Sequence, residues 1–205
     1  LSTALKLGLA TGLAAGWMFA VAPEAAQAQS LALTGYKLAV AESLSDDEGM
    51  AAFYRARGFE PIWTSADEAA TARRAALIEA LSTAGEHGLP ARRYDPVSLM
   101  AKMRAVRSDR ERGQLEIELS RAYLQFARDL SGGALDGRRI DSGIKRAPVR
   151  RPSEELLEAL ATGEPRAVFR KLAPSTPEYA RLMREKLRLE RVVARGGWGA
   201  PVHAG

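Results

Sequence analysis

Between Ser108 and the pair Gly132-Gly133, the apolar residues Leu115, Leu119, Ala122, Tyr123, Phe126 and Leu130 step by four, three, one, three and four. Only an α-helix puts such steps on one side, so the chain is committed to a long amphipathic helix with one face in a core and the other in solvent. Ser108 opens it and the two glycines end it. Other segments carry the same punctuation. Ser45-Asp46-Asp47-Glu48 reads as a capping box for a helix from about Asp46 to Arg57, closed by Gly58 in the left-handed conformation. Ser65-Ala66-Asp67-Glu68 repeats the device ahead of Leu77, Leu81 and Ala84, with Gly85 at the expected end. Asp95-Pro96 supplies a cap and a first-turn proline for a shorter helix to about Val106. Ser153 with Leu156, Leu157 and Leu160, then Pro165 with Val168, Phe169 and Leu172, predict two short helices separated by Gly163, and a last helix runs from Pro177 to Arg195.

Strand signals are scarce. Phe59-Glu60-Pro61-Ile62-Trp63 is the one aromatic, extended-looking stretch, and its proline confines it to a loop or an edge. Helix lengths and spacings vary too much for a solenoid repeat. The expected fold is all-α, an irregular multi-helix bundle forming one domain over 45–198, with a tail over 199–205.

The N-terminal end has a different composition. Leu7 to Ala22 carries no charge, follows Lys6, and precedes Pro23, Glu24 and Ala26-Gln27-Ala28. This pattern predicts a secretory signal peptide over 1–28, cut after Ala28, because the run is shorter than the roughly 20 apolar residues of a membrane span. Residues 29–44 are expected to be a flexible lead-in, and the exported chain to be periplasmic. Absence of cysteine then means only that the fold does not depend on disulfides.

The 205 residues hold 30 basic and 25 acidic side chains, a net +5, which leans toward anionic partners. Without cysteine, thiolate nucleophiles and thiolate metal sites are excluded, and two histidines, His87 and His203, make a zinc site or a histidine triad a poor expectation. No catalytic residue, cofactor site or metal site is assigned. Glu116 and Glu118 are two apart and point in different directions on a helix, so they do not form a working carboxylate pair. His87 follows a helix end and reads as solvated or C-capping. Trp63 and Trp198 read as core plugs rather than sugar platforms. Between Arg138 and Arg151, six basic residues accompany one acid with no helical period: Arg138, Arg139, Lys145, Arg146, Arg150 and Arg151 are the candidate contacts to an anionic surface. No aromatic interleaves them, which argues against nucleic acid. In the last helix, Tyr179, Leu182, Met183, Leu189 and Val193 form a stripe broken by Lys186 and Glu190, a seam with water or another domain.

Taken in order, Phe53-Tyr54-Arg55-Ala56-Arg57-Gly58-Phe59-Glu60-Pro61-Ile62-Trp63, Ala84-Gly85-Glu86-His87-Gly88-Leu89-Pro90 with Tyr94, the Tyr123 helix ending at Gly132-Gly133, Leu172-Ala173-Pro174-Ser175-Thr176-Pro177-Glu178-Tyr179 and Gly196-Gly197-Trp198 resemble the helical scaffold domain of the large periplasmic murein L,D-transpeptidases. Two positions depart: Thr176 and Gly199 stand where such proteins often have histidine and proline. The resemblance implies a signal or anchor, this scaffold, a peptidoglycan-binding domain and a catalytic domain whose nucleophile is the cysteine of Ser-His-Gly-Cys. That motif has no counterpart here, so no catalytic residue carries over. The expectation is a non-catalytic scaffold portion serving peptidoglycan crosslinking, with peptidoglycan and a catalytic L,D-transpeptidase domain as partners; the alternative is a free-standing exported basic module that binds peptidoglycan or another anionic surface or protein.

Overall fold

A computed structural model describes residues 35–44, 47–135, 140, 141, 143 and 150–199. The expected signal peptide and tail lie outside them, apart from residue 199. In order, the α-helices are α1 (35–43), α2 (Glu48–Ala56), α3 (Glu68–Ser82), α4 (Pro96–Ala105), α5 (Asp109–Gly132), α6 (Ser153–Thr162), α7 (Pro165–Arg170) and α8 (Pro177–Ala194). Two short 3₁₀ turns, Ala84–His87 and Ala91–Arg93, link α3 to α4. No strand occurs among the described residues, and the protein is all-α.

α5 is the axis around which the others assemble. Ser108 and Glu111 form a reciprocal capping box at its start. The six apolar positions that predict the helix all face inward, Ala122 less completely than the rest. Its solvent face is narrower than the sequence suggests: Gly113, Glu116, Ile117, Ser120, Leu124 and Ala127 are buried too. What remains outside is a strip through Gln114, Glu118, Arg121 and Gln125, of which Glu118 is only half-exposed. α4 and α6 pack directly on this axis, α2 packs on α6 and reaches α5 through Tyr54, and α3 and α7 pack on each other.

Residues 35–43 correct the expected loose lead-in. They form α1, which buries Tyr36, Ala39 and Val40, with Leu44 buried just beyond. Gly113 is the reason it can lie so close. A β-carbon there would stand 2.6 Å from the Tyr36 carbonyl oxygen and 2.9 Å from the Ala39 Cβ, so only glycine permits this crossing. The Arg112 guanidinium sits over the Tyr36 ring at 5.2 Å, and Arg110 pairs with Glu42 at 2.7 Å.

The caps also differ in detail. Asp47, not Ser45, caps α2 by accepting from the Met50 amide, and Asp67, not Ser65, caps α3 through the Ala70 amide. In both cases the longer-reaching carboxylate lies directly before the first helical residue, which moves the start two positions on. Gly58 is left-handed as expected, at φ 61°, and Phe59 follows it at φ 62°. Past α3 the left-handed residue is Gly88 rather than Gly85, because the chain continues through a 3₁₀ turn that Gly88 closes.

Candidate functional site

The basic segment lies largely outside the described residues: Arg138, Arg139, Lys145 and Arg146 are not among them. Arg150 is exposed. Arg151 is half-buried, and its Nη2 donates to Glu155 Oε1 at 2.9 Å, one turn into α6. A partly exposed i,i+4 pair of this kind contributes little to stability.

Glu116 is the one fully enclosed charged side chain among the described residues, 0% exposed. It points inward from the middle of α5, whereas Glu118 points out and pairs with Lys102. Glu116 Oε1 accepts from the Tyr54 hydroxyl at 2.8 Å, the Ile62 amide at 2.7 Å and the Trp63 amide at 3.1 Å. Oε2 accepts from the Thr64 amide at 2.9 Å and the Thr64 hydroxyl at 2.8 Å. Ser120, one turn later, accepts from Trp63 Nε1 at 2.8 Å and shares a 2.8 Å hydrogen bond with the Tyr54 hydroxyl. Burial first, and then the Glu116 carboxylate, hold the Tyr54 hydroxyl protonated far above its ordinary range.

With both oxygens occupied by fixed donors and no path to solvent, Glu116 is a structural anchor. It pins three successive backbone N–H groups of the loop 62–64, where no regular ladder is available to satisfy them. Arg73 completes the clamp from the other side, donating to the carbonyls of Ile62, Leu160 and Ala161 and so tying the loop to the end of α6. Sequence reasoning passes over Glu116 as half of a failed pair. The available signal is its register, since steps of four, three and four lead from it to Ser120, Tyr123 and Ala127 on the buried side.

A cleft of about 290 Å³ lies between α3 and α7, floored by Phe126, Leu130 and Phe169. Glu79, Thr83, His87 and Arg166 stand at its rim. Every candidate reactive group there is engaged. Thr83 Oγ1 donates to the Glu79 carbonyl at 3.0 Å, Glu79 faces Arg166 at 3.4 Å, and His87 Nδ1 lies 2.7 Å from the Tyr179 hydroxyl. No nucleophile sits beside a base, so the cleft has no catalytic arrangement. His87 is thus not the solvated or C-capping residue expected: its ring stacks on Tyr179 at 6.2 Å and joins α8 to the 3₁₀ turn.

Partial burial lowers the His87 pKa, against a smaller opposing effect of Glu86. An unfolded histidine titrates near 6.5, so the unfolded chain binds the extra proton first and stability falls as the pH drops below that value. The thermal midpoint is expected to decline from pH 7.5 to 5.5, with a shallower slope in His87→Gln. Identical slopes in the two proteins would exclude His87 as the source. Carboxylates act at lower pH. Asp47, whose burial is outweighed by the Met50 amide, Arg128 and Ser153, titrates below its ordinary value.

Trp63 is 0% exposed, and its ring lies 6.0 Å from that of Tyr123. It is a core residue. Trp198 is not, at 75% exposure. Gly196 and Gly197, both left-handed, turn the chain beyond the end of α8, where no described element covers the indole. α8 buries none of its residues, and Leu182 is 71% exposed. Of its stripe, Leu182 and Val193 are exposed while Tyr179, Met183 and Leu189 are partly buried. No cluster of three or more histidine, cysteine, aspartate or glutamate residues able to hold a metal occurs among the described residues.

The described residues thus form an all-helical body with one enclosed, structural carboxylate, a cleft between α3 and α7 without a reactive pair, and a last helix that is only partly buried. The chain belongs to the Scaffold domain family, which it matches over residues 48–185. No curated protein and no solved structure matches it.

Proposed function

We propose that this chain is the non-catalytic scaffold portion of a cell-wall L,D-transpeptidase that serves peptidoglycan crosslinking in the periplasm. The observation that carries the reading is the Scaffold domain match over 48–185, in a chain whose motif order also resembles that enzyme family. The chemistry agrees with a supporting role: the chain has no cysteine to supply the thiolate for acyl transfer between peptide stems. Incubated alone with muropeptide donor and acceptor, the purified chain is expected to yield no 3,3-linked dimer by mass spectrometry, and any such dimer above a no-protein control overturns the reading.

Peptidoglycan contact is assigned to Arg138, Arg139, Lys145, Arg146, Arg150 and Arg151, of which Arg150 stands exposed. The parent is expected to pellet with sacculi at low salt and to release as salt rises, since exposed charges are screened over about 8 Å at physiological ionic strength. The variant with all six replaced by glutamine is expected to stay in solution. Equal pelleting of the two, at equal helicity by circular dichroism, removes the assignment.

A further inference from the structure

Arg181, Arg184, Arg188, Arg191 and Arg195 recur along α8 and its C-cap at steps of three, four, three and four. At about 100° per residue these steps keep all five within an arc of roughly 80°, and the rise of about 1.5 Å per residue spreads them over about 21 Å. All five are exposed. We propose that this arginine ladder docks the domain onto an anionic phospholipid surface, an interaction separate from the proposed role in crosslinking.

Three observations point to a surface of that chemistry. The ladder faces away from the protein body. Tyr179 stacks on His87, and the Lys186 side chain lies 4.0 Å from where a Gly88 β-carbon would be, so these two residues define the inner side of α8. On the same helical projection the arginines lie opposite them.

The ladder's charge is not answered locally. Arg181 and Arg188 pair with Glu178 and Glu185 of their own helix, whereas Arg184, Arg191 and Arg195 have no ion-pair partner among the described residues. Residues 177–195 carry six basic and three acidic side chains. The outer face is cationic along its whole length, which matches a negative partner.

The row runs straight along the outer side of the helix, and the depression that Arg181, Arg184, Arg188 and Arg191 border with Glu185 and Leu187 is shallow and open. A flexible polyanion is held best in a groove with cations that follow its backbone, while a straight, exposed row of this kind meets a plane along its full length. Just past the last rung stands Trp198, 75% exposed, a residue type that settles at the bilayer headgroup level. The ladder itself brings little apolar surface, so attachment is mainly electrostatic and reversible. Each cation near an anionic bilayer strengthens binding about fivefold.

The test uses the chain beginning at Gln29, which keeps every described residue and omits the apolar run at 7–22. It is expected to cosediment with vesicles of phosphatidylglycerol and phosphatidylcholine at low salt, to leave them as salt rises, and to ignore vesicles of phosphatidylcholine alone. Trp198 fluorescence should shift to the blue on binding, since the other tryptophan in that chain, Trp63, is already buried. The triple variant Arg184→Gln, Arg191→Gln, Arg195→Gln is expected to bind on the order of a hundredfold more weakly. It retains the segment from Arg138 to Arg151, so the loss reports the ladder alone. The lysine counterparts at the same three positions should bind nearly as well as the parent. Unchanged binding of the glutamine variant at parental helicity, equal binding to neutral vesicles, or pelleting with sacculi and not with vesicles would each overturn the proposal.

Discussion

Replacing Glu116 by alanine is expected to lower the stability of the domain by about 3 to 5 kcal/mol, the largest effect of any single charged residue described. Five donors lose this acceptor at once, the Tyr54 and Thr64 hydroxyls and the amides of Ile62, Trp63 and Thr64, although the Tyr54 hydroxyl keeps its bond to Ser120. Each unsatisfied buried group costs about 1 to 3 kcal/mol, and water entering the vacated space recovers part of the total. For a domain of this size the change corresponds to a fall in the thermal midpoint on the order of 10 °C. Glu116→Gln, which keeps an acceptor oxygen but turns an amide N–H₂ toward the donors, should fall between parent and alanine variant. A Glu116→Ala protein melting within a degree or two of the parent would show that the loop 62–64 finds its partners elsewhere.

The second large effect is at Trp63. Trp63→Ala removes the largest fully buried side chain and leaves a cavity against Tyr123. Aromatic truncations of this kind cost about 3 to 5 kcal/mol. Trp198→Ala serves as the internal comparison and is expected to leave the melting temperature nearly unchanged, because the indole is mostly in solvent. The Trp63 indole and Glu116 belong to one hydrogen-bonded network, Trp63 Nε1 donating to Ser120 and the Tyr54 hydroxyl bridging Ser120 and Glu116, so the double substitution should cost less than the sum of the two. A Trp63→Ala protein that melts like the parent yet loses affinity for sugars would turn the residue from packing to recognition.

The helices were legible because their signals are local. Cap residues, first-turn prolines and the apolar steps of α5 each act within a few residues, and they mark elements without any knowledge of what packs on them. The misreadings share the opposite property. The polar, alanine-rich composition of residues 29–44 reads as a lead-in, and Tyr36, Ala39 and Val40 acquire a core role only through Gly113, more than seventy positions away. His87 owes its place to Tyr179 and Glu116 owes its place to the loop 62–64, contacts that composition and periodicity do not encode. Trp198 differs from its expected burial for a related reason. An aromatic side chain predicts burial only if some element lies over it, and the Gly196-Gly197 turn carries this one past the end of the bundle.

Less of the proposed anionic-surface contact is legible in the sequence. A run of arginines without period is read as a loop at once, but the ladder on α8 is visible only when positions 181 to 195 are wound into a helix and its inner side is known. The charge count alone, +5 over the chain, does not distinguish the two clusters.

The crossing of α1 over Gly113 also separates two kinds of boundary. The stretch that identifies the chain as a Scaffold domain begins at residue 48, after α1 has ended. The folding unit begins earlier, since Tyr36, Val40 and Leu44 share the core with α2 and α5. Kinship is therefore written in a shorter span than cooperativity. A fragment trimmed to the recognisable span would carry the right ancestry with an open wound along its central helix, and in a cell it would be a substrate for quality control before it was a scaffold.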